Sequence, residues 1–477
     1  MARLDMTQFA LYRWRYIIGY TLVGLLLAGL LVLSALFVPN GLSSQEITAV
    51  IRSESLDFSN PTTLAVTHLP FYLLQSASLS IFGASEFAIK LPSLVLGFFT
   101  AIGLILLLRR WFRPSIAILT SLIAVTTSQF LFISQLGAPG ILFVFWPVAI
   151  LYLGTQVTRA TRYRLIWKLL FAITAAASLY SPLSVYSLIA IIITIALHPH
   201  LRAIVRRLSR PRLAICLIAA LLVLAPLGYG MWLNPQLGLS LLGVPASGTF
   251  DILKNSTDQV NQYFNFATPS ATTVMTPVFG LGTMLLIFLG LYRLIRTRET
   301  TRSYLIIIWI TCLIPALLLN PRFTSVVFLP AVLLLAAGLT SLISYWYRLF
   351  PLNPYARVAG LIPIGILVLA LIITGIDRFA YGYHYSPNIA SEFSKDLDLL
   401  PKGEQTILVS STEKPFYDAL ATYRDGLTVT QAATGTEILT TREGRVSIPD
   451  SYVITEIITN PYSMDSDRFY RYQINGQ

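Results

Sequence analysis

The sequence predicts a polytopic α-helical membrane protein of about 11 to 13 transmembrane helices, with a small extracytoplasmic α/β or α+β domain at its carboxyl end. Composition is the first observation behind this: of 477 residues, 55% are hydrophobic and only 12% charged, far from the balance of a soluble globule. The second is where the cations fall. Of the 25 Lys and Arg residues in positions 1–376, 21 sit in clusters between long apolar runs: Arg3 to Arg15, Arg109 to Arg113, Arg159 to Lys168, Arg202 to Arg212, Arg293 to Arg302, and Arg348 with Arg357. The third is a change of composition after Ile376, since 14 of the 22 acidic residues belong to the last 101 positions.

Each apolar run is close to the roughly 20 residues needed to cross a bilayer. Expected crossings are 16–38, 87–108, 115–133, 140–157, 165–180, 183–197, 213–232, 272–295, 303–319, 326–346 and 358–376. Placing the basic clusters in the cytoplasm puts the amino end inside and the carboxyl end outside. The run from Phe71 to Phe82 is short for a span: as a re-entrant piece on the outer side it leaves 11 crossings, and as a full crossing, together with a further segment, it takes the count to 12 or 13. Two domains result: residues 1–376 in the membrane, with outer loops at about 39–86 and 234–270, and residues 377–477 outside. In the latter, strand-like pieces at 406–410, 427–430, 452–458 and 469–474 flank a helical stretch at 414–423. A cap over a membrane-embedded cleft, a partner-binding module and a structural tail are the readings open for it.

The net charge of +12 orients the chain and argues for no nucleic-acid partner, because the excess lies in short loops beside apolar segments. Cys216 and Cys312 fall inside apolar runs and predict no disulfide. The expected location is a bacterial plasma membrane. On the outer side the membrane part carries six acids (Glu46, Glu54, Asp57, Glu86, Asp251, Asp258) and four cations (Arg52, Lys90, Lys254, Arg322). Cations that are rare on that side are candidates for binding a phosphate or another anionic headgroup.

Motifs follow in a telling order. Ser44-Gln45-Glu46 stands after the first span. Thr67-His68-Leu69-Pro70-Phe71-Tyr72 and Ile81-Phe82-Gly83-Ala84-Ser85-Glu86 come next, then Lys90-Leu91-Pro92-Ser93 and a span ending in Arg109-Arg110. Ser134-Gln135-Leu136-Gly137-Ala138-Pro139-Gly140 comes two spans later. In order and spacing, chiefly over residues 10–160, this resembles the GT-C type membrane glycosyltransferases, in particular the protein mannosyltransferase and aminoarabinose transferase group. The resemblance implies a GT-C-like fold and transfer of a sugar from a polyprenyl-phosphate carrier to an acceptor at the outer face. It aligns the family's catalytic Asp with Gln45 and the neighbouring Glu with Glu46. The carrier-contacting Lys aligns with His68 and the aromatic beyond it with Tyr72. The Arg and the acid of the second outer loop align with Gln135 and Gly140.

The chemistry needs a group to deprotonate or orient an acceptor hydroxyl, and donors for the charge growing on the leaving phosphate. Glu46 is the expected catalytic carboxylate, with Asp57 in reserve; the bland alternative for both is a wetted loop acid. His68, Tyr72 and Arg322 are the expected carrier-binding residues. Arg322 can bind phosphate bidentately, and the charge of His68 depends on its surroundings. No metal site is assigned, since Gly140 offers no ligand, and a divalent cation stays open as cofactor. Partners are then a polyprenyl-phosphate-linked sugar, an unspecified saccharide, lipid or protein acceptor, and membrane lipids. A non-catalytic relative acting in carrier-lipid binding or complex assembly is the alternative function.

Overall fold

The computed structural model describes residues 10–37, 41–159, 163–206, 209–245, 251–266, 270–271, 275–297, 300–350, 354–386 and 468–474, and most of 389–459 except 390–391, 394, 402, 404 and 434. Arg207 and Arg298 of the basic clusters lie outside the described residues.

The chain opens with α1 (Ala10–Phe37), followed by the short helices α2 (Ser44–Glu54) and α3 (Leu69–Phe82) and the long α4 (Glu86–Trp111). Next, α5 (Pro114–Val125) and α6 (Ser128–Gln135) form an apolar pair bent by 63° at Thr126–Thr127. The bend is absorbed locally. Thr126 Oγ1 donates to Leu122 O at 2.8 Å and Thr127 Oγ1 to Ala124 O at 2.7 Å, adding hydroxyl bonds to carbonyls that already accept from Thr126 N and Thr127 N. Then come α7 (Leu142–Arg159), α8 (Arg164–Ser178), α9 (Ser184–Leu197) and α10 (Pro199–Arg206), the last turned 95° from α9 at Pro199. They are followed by α11 (Arg210–Leu233), α12 (Pro235–Leu241), α13 (Ile252–Phe264) and a two-stranded hairpin, β1 (Ser270–Ala271) with β2 (Met275–Thr276). The membrane part closes with α14 (Leu281–Arg296), α15 (Thr301–Leu319), α16 (Phe328–Leu349) and α17 (Pro354–His384).

Every expected crossing meets a helix, though not every one of these helices is long enough by itself to span a bilayer. Among the described residues seven helices are long and apolar enough to cross, or nine if each bent pair counts as one span. The shortfall from 11 has a simple cause. At 15 and 16 residues, α8 and α14 reach only about 22–24 Å at 1.5 Å per residue, short of a hydrocarbon core of about 30 Å. Likewise α3, with 14 residues, is a short apolar helix and no span.

Beyond α17 lies a five-stranded sheet in the order β4-β3-β5-β7-β6, built from β3 (Gln405–Leu408), β4 (Leu427–Thr430), β5 (Glu437–Thr440), β6 (Tyr452–Ile458) and β7 (Phe469–Ile474). Strand β3 runs parallel to β4 and β5, and β7 pairs antiparallel with β5 and β6. The helix α18 (Lys414–Thr422) connects β3 to β4 and buries Phe416, Tyr417, Ala419 and Leu420.

Two hydrophobic cores organise the molecule. The larger runs through the bundle, with Phe130 stacked on Phe328 at 5.7 Å and Phe132 on Tyr383 at 4.3 Å. The second is shared between the two parts of the chain: Leu42, Val50, Leu79, Ala88 and Ile89 pack with Leu397, Ile407, Phe416, Leu420 and Phe469. The sheet domain is thereby seated on α2, α3 and the start of α4. Polar contacts edge the seat, from Leu42 N to Lys395 O (2.6 Å), from Leu397 N to Glu86 Oε1 (3.1 Å) and between Ser76 Oγ and the Tyr423 hydroxyl (3.3 Å). Gly41, at φ +107°, is required here, because a Cβ would stand 2.5 Å from Phe393 O.

Candidate functional site

At the end of the bundle beneath the sheet domain, α2 begins with a capping box. Ser43 caps the helix and Glu46 reaches back to it: Ser43 N and Oγ donate to Glu46 Oε2 at 2.8 and 3.1 Å, while Glu46 N donates to Ser43 Oγ at 3.3 Å. The other oxygen, Oε1, accepts from Gly137 N at 2.6 Å, and the side chain is fully buried. Three of roughly four acceptor positions on the carboxylate are therefore occupied. Only glycine fits at 137, where a Cβ would lie 2.8 Å from Ile89 O and 3.0 Å from Glu46 Oε1.

Gln75 of α3 completes this node. Its Nε2 donates to Gly137 O (2.9 Å) and Ile89 O (3.1 Å), and its Oε1 accepts from Ser53 Oγ (2.7 Å). One side chain thus ties together α2, α3, the start of α4 and the turn after α6. Sequence reasoning passed it over, because a Gln inside an apolar run carries no signal of its partners.

One turn before Gln75 lie the expected carrier contacts. His68 precedes α3 in the left-handed region (φ +60°, ψ 21°), its N–H donating to Tyr180 O at 2.7 Å and its carbonyl accepting from Phe71 N at 2.9 Å. A non-glycine residue in that region is uncommon and strained. The ring is buried edge-on against Phe143, with centroids 5.5 Å apart, and Nδ1 has no partner. Burial, helped by the charge of Arg52, pushes its pKa down to about 3, so at neutral pH it is an uncharged imidazole. Tyr72, one turn on, is buried, and the Arg52 side chain stands within electrostatic reach of both it and His68. Arg52 itself is exposed. The Ser53–Gln75 contact presses α2 on α3 and so brings Arg52 to the His68 and Tyr72 face. Arg52 is the cation of this cluster, and the motif order did not single it out.

Arg322 approaches from the other side. The turn Asn320–Arg322 is held by α13: Asn255 Nδ2 donates to Leu318 O (2.8 Å), Gln259 Nε2 to Pro321 O (3.3 Å) and the Tyr263 hydroxyl to Thr324 O (3.4 Å). The guanidinium group is exposed, while the next residue, Phe323, packs edge-on against Phe143 at 5.5 Å. Phe143 therefore bridges His68 and the Arg322 turn. Asp57 stands apart: it is exposed, its Oδ1 accepts from Ser59 N (2.8 Å) and Ser59 Oγ (2.5 Å), and these bonds lower its pKa. Gln45 is exposed, Gln135 is fully buried with neither end of its amide partnered, and a Cβ on Gly140 would meet open space. Among the described residues no three His, Cys, Asp or Glu side chains converge, so these carboxylates alone supply no ligand set for a metal ion.

An apolar cavity of about 610 Å³ lies between the α8–α9 turn, α11 and α12, lined by Leu179, Val185, Leu224, Leu227, Met231 and Leu241 among others. Its wall is continuous with the His68 cluster, since Leu227 and Leu241 pack with Tyr180 and with Leu69, the residue after His68.

Residues 68–229 match the sequence profile of the family described as dolichyl-phosphate-mannose-protein mannosyltransferase. Across nearly the whole chain, the fold is similar to crystal structures of ArnT from Cupriavidus metallidurans. The form bound to undecaprenyl phosphate aligns with a TM-score of 0.53 at 11% identity, covering 96% of this chain and 98% of that one. The apo form aligns with a TM-score of 0.52 at 10% identity over the same shares. No curated protein matches the sequence.

Proposed function

We propose that this protein binds a polyprenyl-phosphate-linked sugar at the outer face of the membrane and transfers the sugar to an acceptor there. The observation that carries the reading is an apolar cavity whose lining residues Leu227 and Leu241 pack against Tyr180 and Leu69, beside the polar cluster of Arg52, His68 and Tyr72. An isoprenoid tail suits the cavity, and the phosphate then meets Arg52, Tyr72 and His68, with Arg322 across Phe143. That one of the similar structures holds undecaprenyl phosphate supports the assignment.

In the proposed reaction the acceptor oxygen forms a bond to the anomeric carbon, and the bond from that carbon to phosphate breaks, leaving the electron pair on phosphate oxygen. Arg52 and Arg322 offset the charge that develops there, and neutral His68 can donate one N–H. The acceptor proton passes to a carboxylate, for which Glu46 and Asp57 are the candidates. Blocking the cavity tests the binding half. In Val185→Trp, carrier-lipid binding is expected to fall at least tenfold, whereas wild-type affinity in a folded variant would remove the cavity from the site.

One observation favours a second reading, a non-catalytic carrier-lipid-binding or assembly protein. Glu46 is fully buried and already holds three donors. To act as a base it must take the proton at its one remaining acceptor position, which is buried, and Gln45 and Gly140 supply no other carboxylate. Under this reading the wild-type protein binds the carrier lipid and transfers no sugar.

A further inference from the structure

At the opposite, arginine-rich end of the bundle, guanidinium groups from four helices converge. Arg159 closes α7, Arg293 lies in the last turn of α14, Arg302 opens α15 and Arg348 lies in the last turn of α16. Arg302 is within electrostatic reach of Arg293 and Arg159, and Arg293 within reach of Arg348. Two of them are anchored on neutral groups. Arg302 donates to Trp111 O and stands 4.9 Å over the Phe112 ring, and Arg159 Nη1 donates to Arg110 O at 3.2 Å. None of these contacts cancels charge.

Among the described residues no carboxylate pairs with any of the four. The sequence holds no Asp or Glu between Glu86 and Asp251, and Glu299, the acid of the α14–α15 connection, lies outside the described residues. Nor can the basic ends of α14 and α16 easily splay apart. A Cβ on Gly290 would be 1.8 Å from Leu334 O, and one on Gly338 2.0 Å from Leu286 O, so the two backbones are pressed together one turn before Arg293. Like charges so close together repel one another, most strongly at Arg293 and Arg302, which are half-buried, with Arg159 and Arg348 exposed beside them. A polyvalent anion relieves that repulsion.

The flanks say what kind of anion. Tyr292 and Ile295 on α14, and Tyr345 and Leu349 on α16, are exposed apolar or amphipathic side chains beside the arginines, a surface suited to acyl chains. We propose that Arg159, Arg293, Arg302 and Arg348 form a binding site for the phosphate headgroup of an anionic phospholipid in the adjoining leaflet. Guanidinium forks bind phosphate oxygens in pairs, and basic pockets between membrane helices suit such headgroups. Four forks match a two-phosphate headgroup of the cardiolipin type better than a single phosphate. The basic stretch around α10 differs: its described arginines, Arg202 and Arg206 on α10 and Arg210 and Arg212 at the start of α11, are all exposed and follow one another along a single stretch of chain.

The test titrates purified full-length protein with cardiolipin, phosphatidylcholine or inorganic phosphate, reading retained lipid by native mass spectrometry and the thermal midpoint in parallel. Cardiolipin is expected to be retained and to raise the midpoint. Arg293→Gln with Arg348→Gln should weaken its apparent affinity tenfold or more, and Arg202→Gln with Arg206→Gln, removing the same charge elsewhere, should change it less than twofold. Equal retention of phosphatidylcholine, or equal weakening in the two double variants, overturns the proposal in favour of diffuse attraction. Equal protection by inorganic phosphate overturns the lipid assignment. Should the first double variant fold poorly, Arg293→Lys with Arg348→Lys decides: severalfold weaker binding is expected from loss of the forks, and unchanged affinity rejects the site.

Discussion

Glu46 and Gln75 grip opposite ends of one residue: Gly137 N donates to Glu46 Oε1 at 2.6 Å, and Gly137 O accepts from Gln75 Nε2 at 2.9 Å. The turn after α6 is thus clamped between α2 and α3, which sets the distance between the Glu46 region and the His68 cluster. Gln75→Leu removes the donor to Gly137 O and Ile89 O, while Ser53 Oγ keeps Ala49 O at 2.8 Å. A loss on the order of 3 kcal/mol is expected, read by denaturant unfolding in detergent. A change below about 0.5 kcal/mol, the scale of an ordinary surface substitution, would show that the clamp is dispensable.

Glu46→Gln tests structure and chemistry together. The amide presents N–H groups towards Ser43 N, Ser43 Oγ or Gly137 N, all of which donate now, so one buried contact becomes donor against donor. About 1–3 kcal/mol of stability should be lost. Activity is therefore informative only in preparations whose folded fraction has been measured. Unchanged stability would mean that Glu46 is held less firmly than these distances indicate.

His68 makes stability depend on pH. Its folded pKa is near 3, below the ordinary 6.5, so the unfolded chain binds a proton that the folded chain refuses. Its contribution is fully present above about pH 6.5 and is lost as pH falls from there towards 3, on the order of 1 kcal/mol per unit. His68→Asn should flatten that part of the acid-unfolding profile. A variant profile parallel to wild type between pH 6.5 and 4 would refute the assignment.

Carrier-lipid affinity should depend on two cations from different loops. Arg52→Gln and Arg322→Ala each remove a charge-assisted hydrogen bond worth about 1.5–3 kcal/mol, roughly a 10- to 150-fold weakening. Equilibrium binding of a radiolabelled polyprenyl phosphate measures this. Unchanged affinity in either folded variant takes that residue out of the site.

Gly140 faces open space, so Gly140→Asp should fold with a thermal midpoint close to wild type. A large drop would mean that the space is not available to a carboxylate.

The long spans were legible because apolar runs of bilayer length leave a helix few alternatives, and four of the five strands of the terminal sheet were legible as short β-branched or aromatic runs. Glu437–Thr440 was not, being four residues between polar turns whose pairing with β3 and β7 is non-local. The Thr126–Thr127 break also escaped notice, since hydroxyl-to-carbonyl bonding leaves the apolar run intact. At the site, the Ser43 to Glu46 spacing carries a capping-box signature, but the partner 91 positions away at Gly137 cannot be read locally. His68 and Arg322 were readable as chemistry. Their connection through Phe143, and the approach of Arg52 to His68 and Tyr72, arise only from helix packing.

The central claim is sugar transfer from a polyprenyl-phosphate carrier, and its most direct test is transfer of radiolabelled sugar by purified wild-type protein in lipid vesicles, over a panel of carrier-linked sugars and acceptors. The account predicts transfer of at least one sugar, with the rate lowered at least tenfold in Arg52→Gln. Carrier lipid bound with full affinity and no sugar transferred across the panel would contradict it, and would leave the non-catalytic reading in its place.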